Sequence, residues 1–158
     1  MGQYDRVLYE GKQITRRQRQ ATNHVSSLTD RRYGLLIHLY QGSWRPETDY
    51  SGTTHTKAGV FDAYVYGMST MKWDQLAEIT RLWRREGHQA AFLRGPFVNM
   101  PWHWHILDLD THRMDDQDGP YGATWQVGDY RDGGDGIGGR DPIPYRPKPL
   151  RKWTFRSN

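Results

Sequence analysis

The chain has 158 residues, which is enough for one domain with a single moderate hydrophobic core. It contains 22 Lys and Arg residues against 18 Asp and Glu residues, for a net charge of +4, so its charge suits a polyanionic partner such as nucleic acid or anionic cell wall. Cysteine is absent, which excludes disulfide scaffolds, cysteine-ligated zinc modules, iron–sulfur clusters and thiol nucleophiles. Any metal must therefore be held by His and carboxylate side chains.

The N-terminal stretch from Met1 to Glu10 carries no apolar run. No segment of the chain approaches the roughly 20 apolar residues that a membrane span requires. We therefore expect a protein without a signal peptide or a transmembrane segment, made in the cytoplasm.

The first predicted element is an amphipathic helix from Thr15 to Leu28, in which Ala21, Val25 and Leu28 recur at helical spacing. Its first turns are basic and include Arg16, Arg17 and Arg19. Cations near a helix N-terminus oppose the helix dipole. They are typical of either an anion-binding end or a solvated basic face, and we favour the solvated face.

Two strands are predicted next, at Leu35–Tyr40 and at Val60–Tyr66, because both segments are rich in aliphatic, β-branched or aromatic residues. The polar stretch between them, Ser43–Lys57, is predicted to be a loop.

A second helix is predicted after the turn and N-cap candidate at Gly67–Thr70, because apolar residues recur on one helical face until Gly87. Two further strands are predicted, at Ala90–Leu93 and Trp102–Leu109. The dipeptides Gly95-Pro96 and Met100-Pro101 separate them.

Beyond Asp115 the chain is dominated by Asp, Gly and Pro, and no periodicity remains. We therefore predict an α+β fold: a small antiparallel sheet with packed helices behind it and a metal site on one sheet face, formed by residues 1–115. Residues 116–158 are predicted to form an extended, Gly- and Pro-rich, basic C-terminal arm. The arm could pack on the domain, pair with another subunit or stay mobile, and its aromatic residues offer anchors.

The first candidate ligands are His55 and Asp62, which six residues separate. The small residues Ala58 and Gly59 allow a tight turn into the predicted strand, so that an imidazole and a carboxylate can reach one metal. Taken alone, the pair also fits a simple hydrogen-bonded His–Asp pair.

The second pair is His103 and His105, which project from the same face of the predicted strand while Trp102 and Trp104 project from the other. An isolated His-x-His also fits two half-buried histidines hydrogen-bonded to neighbours. In a chain with 7 histidines, its combination with His55 and Asp62 predicts one metal-ligand set, with zinc as the metal.

These motifs resemble the zinc peptidase superfamily of D-alanyl-D-alanine carboxypeptidases and L-alanyl-D-glutamate endopeptidases, whose members cut peptidoglycan stem peptides and include many phage endolysins. The segments that carry the resemblance are Gln41-Gly42-Ser43-Trp44-Arg45, Thr54-His55 to Asp62, and Pro101-Trp102-His103-Trp104-His105. They are most similar to small members from actinobacteria and their phages. The likeness covers Thr15 to Asp110 and includes the order of helices and strands, but it leaves the arm unexplained.

The resemblance implies that His55, Asp62 and His105 are the zinc ligands and that a fourth position is left for water. It implies that Arg45 pairs with a substrate carboxylate and helps to stabilise the oxyanion. The implied activity is hydrolysis of a peptide bond in peptidoglycan by a phage-encoded endolysin or virion-associated lysin, made in the host cytoplasm and acting at the bacterial cell wall or carried in the virion.

One departure from the family pattern concerns a catalytic Glu three residues before the last zinc histidine. This chain has Trp102 there, and the same count from His103 gives Met100. In relatives with His-x-His the first histidine lies beside the metal, so His103 becomes the candidate for proton transfer or transition-state stabilisation.

The missing Glu and the long arm favour an alternative, a phage virion or tail structural protein that retains the scaffold with an impaired site and contacts other virion proteins through the arm. A third class is a wall-binding module without activity. Nucleic-acid binding is disfavoured, because the aromatic residues occupy strand- and core-like positions.

Two other motifs do not predict calcium sites. The run from Gly133 to Gly139 occurs once, whereas calcium-binding glycine repeats stack in several copies, so we expect a flexible linker there. The carboxylates from 108 to 118 lack the spacing of an EF-hand, so we expect a solvated loop. They are Asp108, Asp110, Asp115, Asp116 and Asp118.

Overall fold

The computed structural model of the protein describes residues 2–45, 55, 58–96, 100–111 and 121–157. Over these residues the architecture is α+β, as predicted, with two small antiparallel sheets and three α-helices. The strands are β1 (Arg6–Tyr9), β2 (Lys12–Thr15), β3 (His38–Gln41), β4 (Val60–Tyr64), β5 (Gln89–Arg94) and β6 (His103–Asp108). The helices are α1 (Arg16–Tyr33), α2 (Trp73–Arg85) and α3 (Ala123–Arg131).

The larger sheet has the strand order β3-β4-β6-β5, with every neighbouring pair antiparallel. Successive side chains of a strand project to opposite faces. One face carries Asp62, His103 and His105 and is called the metal face below. The opposite face, here the helix face, carries Phe61 and Trp104 and packs against α1 and α2.

The helix face holds the larger part of the hydrophobic core. Val25 of α1 and Ile79 and Trp83 of α2 are fully buried there against Phe61 and Trp104. The indole of Trp104 also donates a hydrogen bond to Thr80 Oγ1 (2.9 Å), so its polar atom is satisfied inside the core. The predicted arrangement, with two helices behind the sheet, is confirmed.

Capping residues and a short turn account for where the two helices begin and end. Thr15 caps α1 by accepting a hydrogen bond from the Gln18 backbone. The last residue of α1 is Tyr33, five residues beyond the predicted end, and the next residue, Gly34, caps the helix in the left-handed conformation (φ 67°). The segment predicted to cap α2 instead forms a short 3₁₀ turn, Met68–Thr70. Helix α2 begins only after Lys72, whose side chain makes no capping hydrogen bond.

The β1–β2 hairpin was not predicted. Its turn is Glu10-Gly11, and both residues have positive φ (50° and 77°), as a two-residue hairpin turn requires. The run Val7-Leu8-Tyr9 directly before the turn residues Glu10-Gly11 is the signal that could have revealed it.

The extended arm predicted for residues 116–158 is not what the structure shows. The proposed boundary near Asp115 lies outside the described residues, but Ala123–Arg131 forms helix α3. Val127 and Tyr130 of this helix are buried on the metal face in a second core cluster with Val60 and Leu107. Helix α3 is therefore packed against the metal face of the sheet.

The residues after α3 have no regular secondary structure, yet they lie on the domain. The buried guanidinium of Arg84, in α2, donates hydrogen bonds to the carboxylate of Asp141 and to the backbone carbonyls of Ile143 and Tyr145. Further along, the Trp153 indole donates to Gln20 of α1 (3.3 Å). This segment is fixed by a buried cation and a set of polar contacts.

The expected flexible glycine linker is also wrong. Asp129 Oδ2 accepts a hydrogen bond from the Gly136 backbone (2.8 Å), and Asp135 Oδ1 accepts from the backbones of Ile137 and Gly139 (2.9 Å each). These carboxylates satisfy the backbone donors of the loop, which is therefore folded against the metal face.

The expected solvated loop of carboxylates is wrong for the two members that the structure describes. Asp108 is fully buried and accepts a hydrogen bond from Arg17 Nε (2.7 Å), and Asp110 is 6% exposed. Arg17 itself is 3% exposed, so this residue of α1 is not on a solvated face. Asp115, Asp116 and Asp118 lie outside the described residues.

Across the described part of the chain, no helix has the length and apolar composition to cross a membrane.

Candidate metal centre

The side chains of His55, Asp62 and His105 meet on the metal face, with one nitrogen or oxygen from each within 4.8 Å of the others. Asp62 Oδ1 lies 2.9 Å from His105 Nδ1 and 3.3 Å from His55 Nε2. All three residues are buried, with 3%, 3% and 7% of their surface exposed. The three ligands predicted from the sequence are thus brought together by the fold.

The strand register positions two of the three residues, Asp62 and His105, next to each other. Asp62 of β4 pairs directly with His105 of β6, and His105 pairs with Phe92 of β5, so these three residues form one row across the sheet. Side chains opposite each other in an antiparallel pair are about 5 Å apart at Cβ. The period-two placement of His103 and His105 therefore puts both imidazoles beside the carboxylate.

His55 comes from outside the sheet and is held by the Gly42-Ser43 segment. His55 Nδ1 donates to the carbonyl oxygen of Gly42 (3.2 Å). Ser43 is bound on both sides: its hydroxyl donates to the Val60 carbonyl (2.7 Å), and its backbone N–H donates to the Gln13 carbonyl (2.7 Å). A Cβ at position 42 would lie 2.4 Å from that Gln13 oxygen, so only glycine fits.

The outer hydrogen-bond partners of the two histidines fit a metal site. His55 Nδ1 lies 3.2 Å from the Gly42 carbonyl oxygen, and His105 Nε2 lies 2.8 Å from the Gln126 side-chain oxygen. When each of these nitrogens carries the single proton of a neutral ring, His55 Nε2 and His105 Nδ1 turn their lone pairs toward Asp62. Loss of the protons that otherwise lie between the histidines and Asp62 would leave two lone pairs and an anionic oxygen converging, which is the donor set of a divalent metal site with its orienting hydrogen bonds.

The charges of the triad are strongly coupled. Burial would raise the pKa of Asp62, but the charge of His55 and the hydrogen bonds from both histidines hold that pKa well below its usual value. Burial would lower the pKa of His55, yet the Asp62 carboxylate raises it on balance. For His105 burial dominates and the pKa is lowered, with Asp62 opposing. Asp62 is therefore the charged centre of the site at neutral pH.

His103 lies beside the triad and does not belong to it. It is 4% exposed, its Nδ1 donates to the Pro101 carbonyl (2.9 Å), and its Nε2 stands 3.9 Å from Asp62 Oδ2. The lone pair of Nε2 therefore points toward the centre. Nε2 of His103 lies farther from the Asp62 carboxylate than the nearest nitrogens of His55 and His105 do. The catalytic role expected for the first histidine of His-x-His stays a prediction.

Arg45 lies next to His55. Its backbone N–H donates to the His55 carbonyl (2.8 Å), and its half-buried cation acts on His55, whose pKa it tends to lower. The rest of the loop between Arg45 and His55 lies outside the described residues.

Comparison of the chain with protein-family models, with curated proteins and with solved structures finds no match.

Two residues of the site were not anticipated from the sequence. Gln126 of α3 is 5% exposed and binds His105, and Arg94, at the end of β5, is 8% exposed on the metal face. Gln126 lies in the segment that was predicted to be irregular. Arg94 continues the alternation of Ala90 and Phe92 on the metal face, so strand periodicity could have placed it.

Proposed function

We propose that this protein is a zinc-dependent peptidase that hydrolyses a peptide bond in peptidoglycan stem peptides or cross-links, phage-encoded and acting at the bacterial cell wall. The observation that carries the proposal is the convergence of His55, Asp62 and His105, with one ligand atom from each within 4.8 Å of the others and His103 beside them. The sequence resemblance to peptidoglycan zinc peptidases supports it, because the same three residues match the ligand positions of that family.

Zinc is the metal that suits this donor set. Two neutral imidazoles and one carboxylate, with no thiolate in the chain, match the three-ligand pattern of catalytic zinc sites. A bound zinc ion supplies Lewis acidity toward a water molecule and the scissile carbonyl.

The proton chemistry falls to His103. Its Nδ1 is committed to the Pro101 carbonyl, so Nε2 is free to accept a proton from the attacking water and to deliver it to the leaving amine. The hydrogen bond at Nδ1 holds the ring in one orientation. Arg45, next to His55, supplies a cation for the developing oxyanion or for a substrate carboxylate.

The experiment that tests this function is the release of new amino groups from purified peptidoglycan by the zinc-loaded protein. Wild type is expected to release them, and a chelator is expected to stop the release. His103→Ala is expected to retain its zinc but to lose turnover by a factor of about 100 or more. His24→Ala, a partly exposed histidine of α1 outside the centre, is the matched control and should behave as wild type. A wild-type rate that is unchanged by the chelator would refute the proposal.

A second candidate function is a virion structural protein that binds metal without turnover. The observation that favours it is the absence of a carboxylate at positions 100 and 102. Trp102 packs against the core of the helix face, and the Met100 sulfur accepts a hydrogen bond from Gln41 (3.7 Å). Zinc binding by wild type without any release of amino groups from several peptidoglycan types would favour this alternative.

A further inference from the structure

A second cation borders the metal centre at the end of β5, which is the edge strand of the larger sheet farthest from β3. Arg94 is the β5 residue that pairs with His103 of β6, and its side chain lies on the metal face. Its positive charge acts on both Asp62 and His105, since it favours ionisation of the first and opposes protonation of the second. Arg94 is therefore part of the electrostatic environment of the ligands.

The guanidinium of Arg94 is held in place by its surroundings. Its carbon atom lies 5.0 Å from the centre of the Phe92 ring, and Phe92 in turn is nearly parallel to the His105 ring at 6.4 Å. Nη1 donates to the backbone carbonyl of Asp135 (2.6 Å). A Cβ at Gly136 would come within 3.0 Å of Nη2, so the glycine loop covers the guanidinium closely.

This buried cation is in ion-pair contact with no carboxylate in the part of the chain that the structure describes, and its side-chain hydrogen bond there goes to a neutral carbonyl. Several carboxylates act on it from farther away, namely Asp135, Asp62, Asp141 and Asp129. Burial accordingly lowers its pKa, although the Asp135 and Asp62 charges oppose the shift. Buried charges are normally paired, because an unpaired one loses its hydration without compensation. A buried arginine that contacts no carboxylate, beside a candidate catalytic centre, would be stabilised by a ligand that carries an anionic group.

We propose that Arg94 is a substrate-binding residue that takes a carboxylate group of the substrate next to the metal centre. The inference rests on the proposed peptidase function, since peptidoglycan stem peptides carry free carboxylates at D-amino acids. A guanidinium presents several N–H donors in a planar fork that matches both oxygens of a carboxylate. Arg94 would hold this group on the His103 side of the centre, while Arg45 stands on the His55 side.

The competing explanation is that Arg94 only anchors the glycine loop through the Asp135 carbonyl. An anchor affects every ligand alike, whereas a carboxylate receptor affects only ligands that carry the carboxylate. The two roles are therefore separated by a pair of ligands that differ in that group alone.

The experiment measures binding of N-acetyl-D-alanine and of N-acetyl-D-alaninamide to the zinc-loaded protein by NMR titration. Wild type is expected to bind the carboxylate tighter than the amide by about tenfold or more, the worth of a charge-assisted hydrogen-bond pair. Arg94→Gln should remove this preference and leave amide binding unchanged, and Arg94→Lys should restore part of it. Arg85→Gln, a partly exposed arginine of α2, is the matched control and should keep the full preference.

An unchanged preference in Arg94→Gln, an equal weakening of both ligands, or no preference in wild type would overturn the inference. Wall cleavage is measured on the same preparations, so that the two proposals can fail separately. Cleavage of wall with a carboxylate preference that does not depend on Arg94 overturns this inference alone. If the preference for the carboxylate ligand depends on Arg94 but the protein cleaves no wall, the peptidase proposal is overturned and the carboxylate-binding role of Arg94 is retained.

Discussion

Each histidine around Asp62 has one ring nitrogen committed to an acceptor outside the centre: the Gly42 carbonyl for His55, the Pro101 carbonyl for His103, and the Gln126 amide oxygen for His105. All three rings thereby turn their other nitrogen toward the carboxylate. The orientation of the site thus depends on neighbours that hold no metal themselves. Hydrogen bonds of this kind fix the tautomer and the ring angle of metal ligands.

The first prediction concerns Gln126. Gln126→Met keeps the length of the side chain and removes the acceptor, so His105 loses the partner that holds Nδ1 toward Asp62. The zinc affinity is expected to fall about 10- to 100-fold, as is typical when such an orienting group is lost. Competition titration against a fluorescent chelator measures it, with Gln75→Met on α2 as the control. Equal affinities for the two variants would show that Gln126 does not orient the ligand.

The second prediction concerns pH. Zinc binds the neutral form of His55, and protons compete for the same nitrogen. Because Asp62 raises the pKa of His55, the protonated form persists to a higher pH than for an ordinary histidine. The zinc affinity should therefore rise with pH until His55 is deprotonated, and acidification should start to weaken binding above the ordinary imidazole pKa of about 6.5. Titrations between about pH 5 and 8 test this, and affinity that stays constant down to pH 6 would contradict it.

At the scale of elements, the Gly42-Ser43 segment connects the β1–β2 hairpin, the sheet and His55. Gly42→Ala places a methyl group on the Gln13 backbone and should destabilise the fold by about 1–3 kcal/mol, the usual cost of overpacking. It should also weaken zinc binding, because the Gly42 carbonyl that orients His55 must move.

The matched control for Gly42 is Gly128, an exposed glycine of α3 where an added Cβ meets no atom within 4 Å. Gly128→Ala should stabilise the protein by about 0.5–1 kcal/mol, because alanine favours the helix. Urea unfolding measures both variants, and a loss of stability in Gly128→Ala that equals that of Gly42→Ala would contradict the steric argument.

The elements with a clear apolar period could be predicted from the sequence, and α3 could not. In α2, Leu76, Ile79 and Trp83 recur on one face, and the helix lies where that pattern predicts. The buried face of α3 also has helical spacing, but Gln126 occupies one of its positions and interrupts the apolar stripe. The residue that obscured the helix is the one that binds a candidate ligand, as expected when a functional site overrides a folding pattern.

At the scale of the molecule, the C-terminal segment is tied to the domain through a buried ion-pair network. Arg84 of α2 and Arg146 both bind Asp141 Oδ2, and the side chains of Arg84 and Asp141 are 0% and 4% exposed. The sequence did not reveal this, because the pairing joins residues 57 positions apart and depends on the folded chain. Part of the candidate site was predictable for the opposite reason: the spacing of His103 and His105 alone places both imidazoles on one face of a strand.

The Asp141 network gives a stability prediction. Asp141→Ala leaves two arginines without their carboxylate, one of them fully buried, and should cost about 3–5 kcal/mol of unfolding free energy. Glu78→Ala removes a carboxylate from partly exposed pairs with Arg32 and Arg81, and should cost about 1 kcal/mol or less. Urea denaturation compares them. Similar losses for the two variants would show that the segment is not held by this network.

The central claim is that His55, Asp62 and His105 together hold one metal ion, and elemental analysis of the purified protein after equilibration with zinc and dialysis tests it most directly. We expect about one zinc per chain in wild type and in His24→Ala, and a content near zero in Asp62→Ala and His105→Ala, with circular dichroism confirming that the variants fold. Wild type that retains no metal, or a folded Asp62→Ala that retains as much zinc as wild type, would contradict the claim.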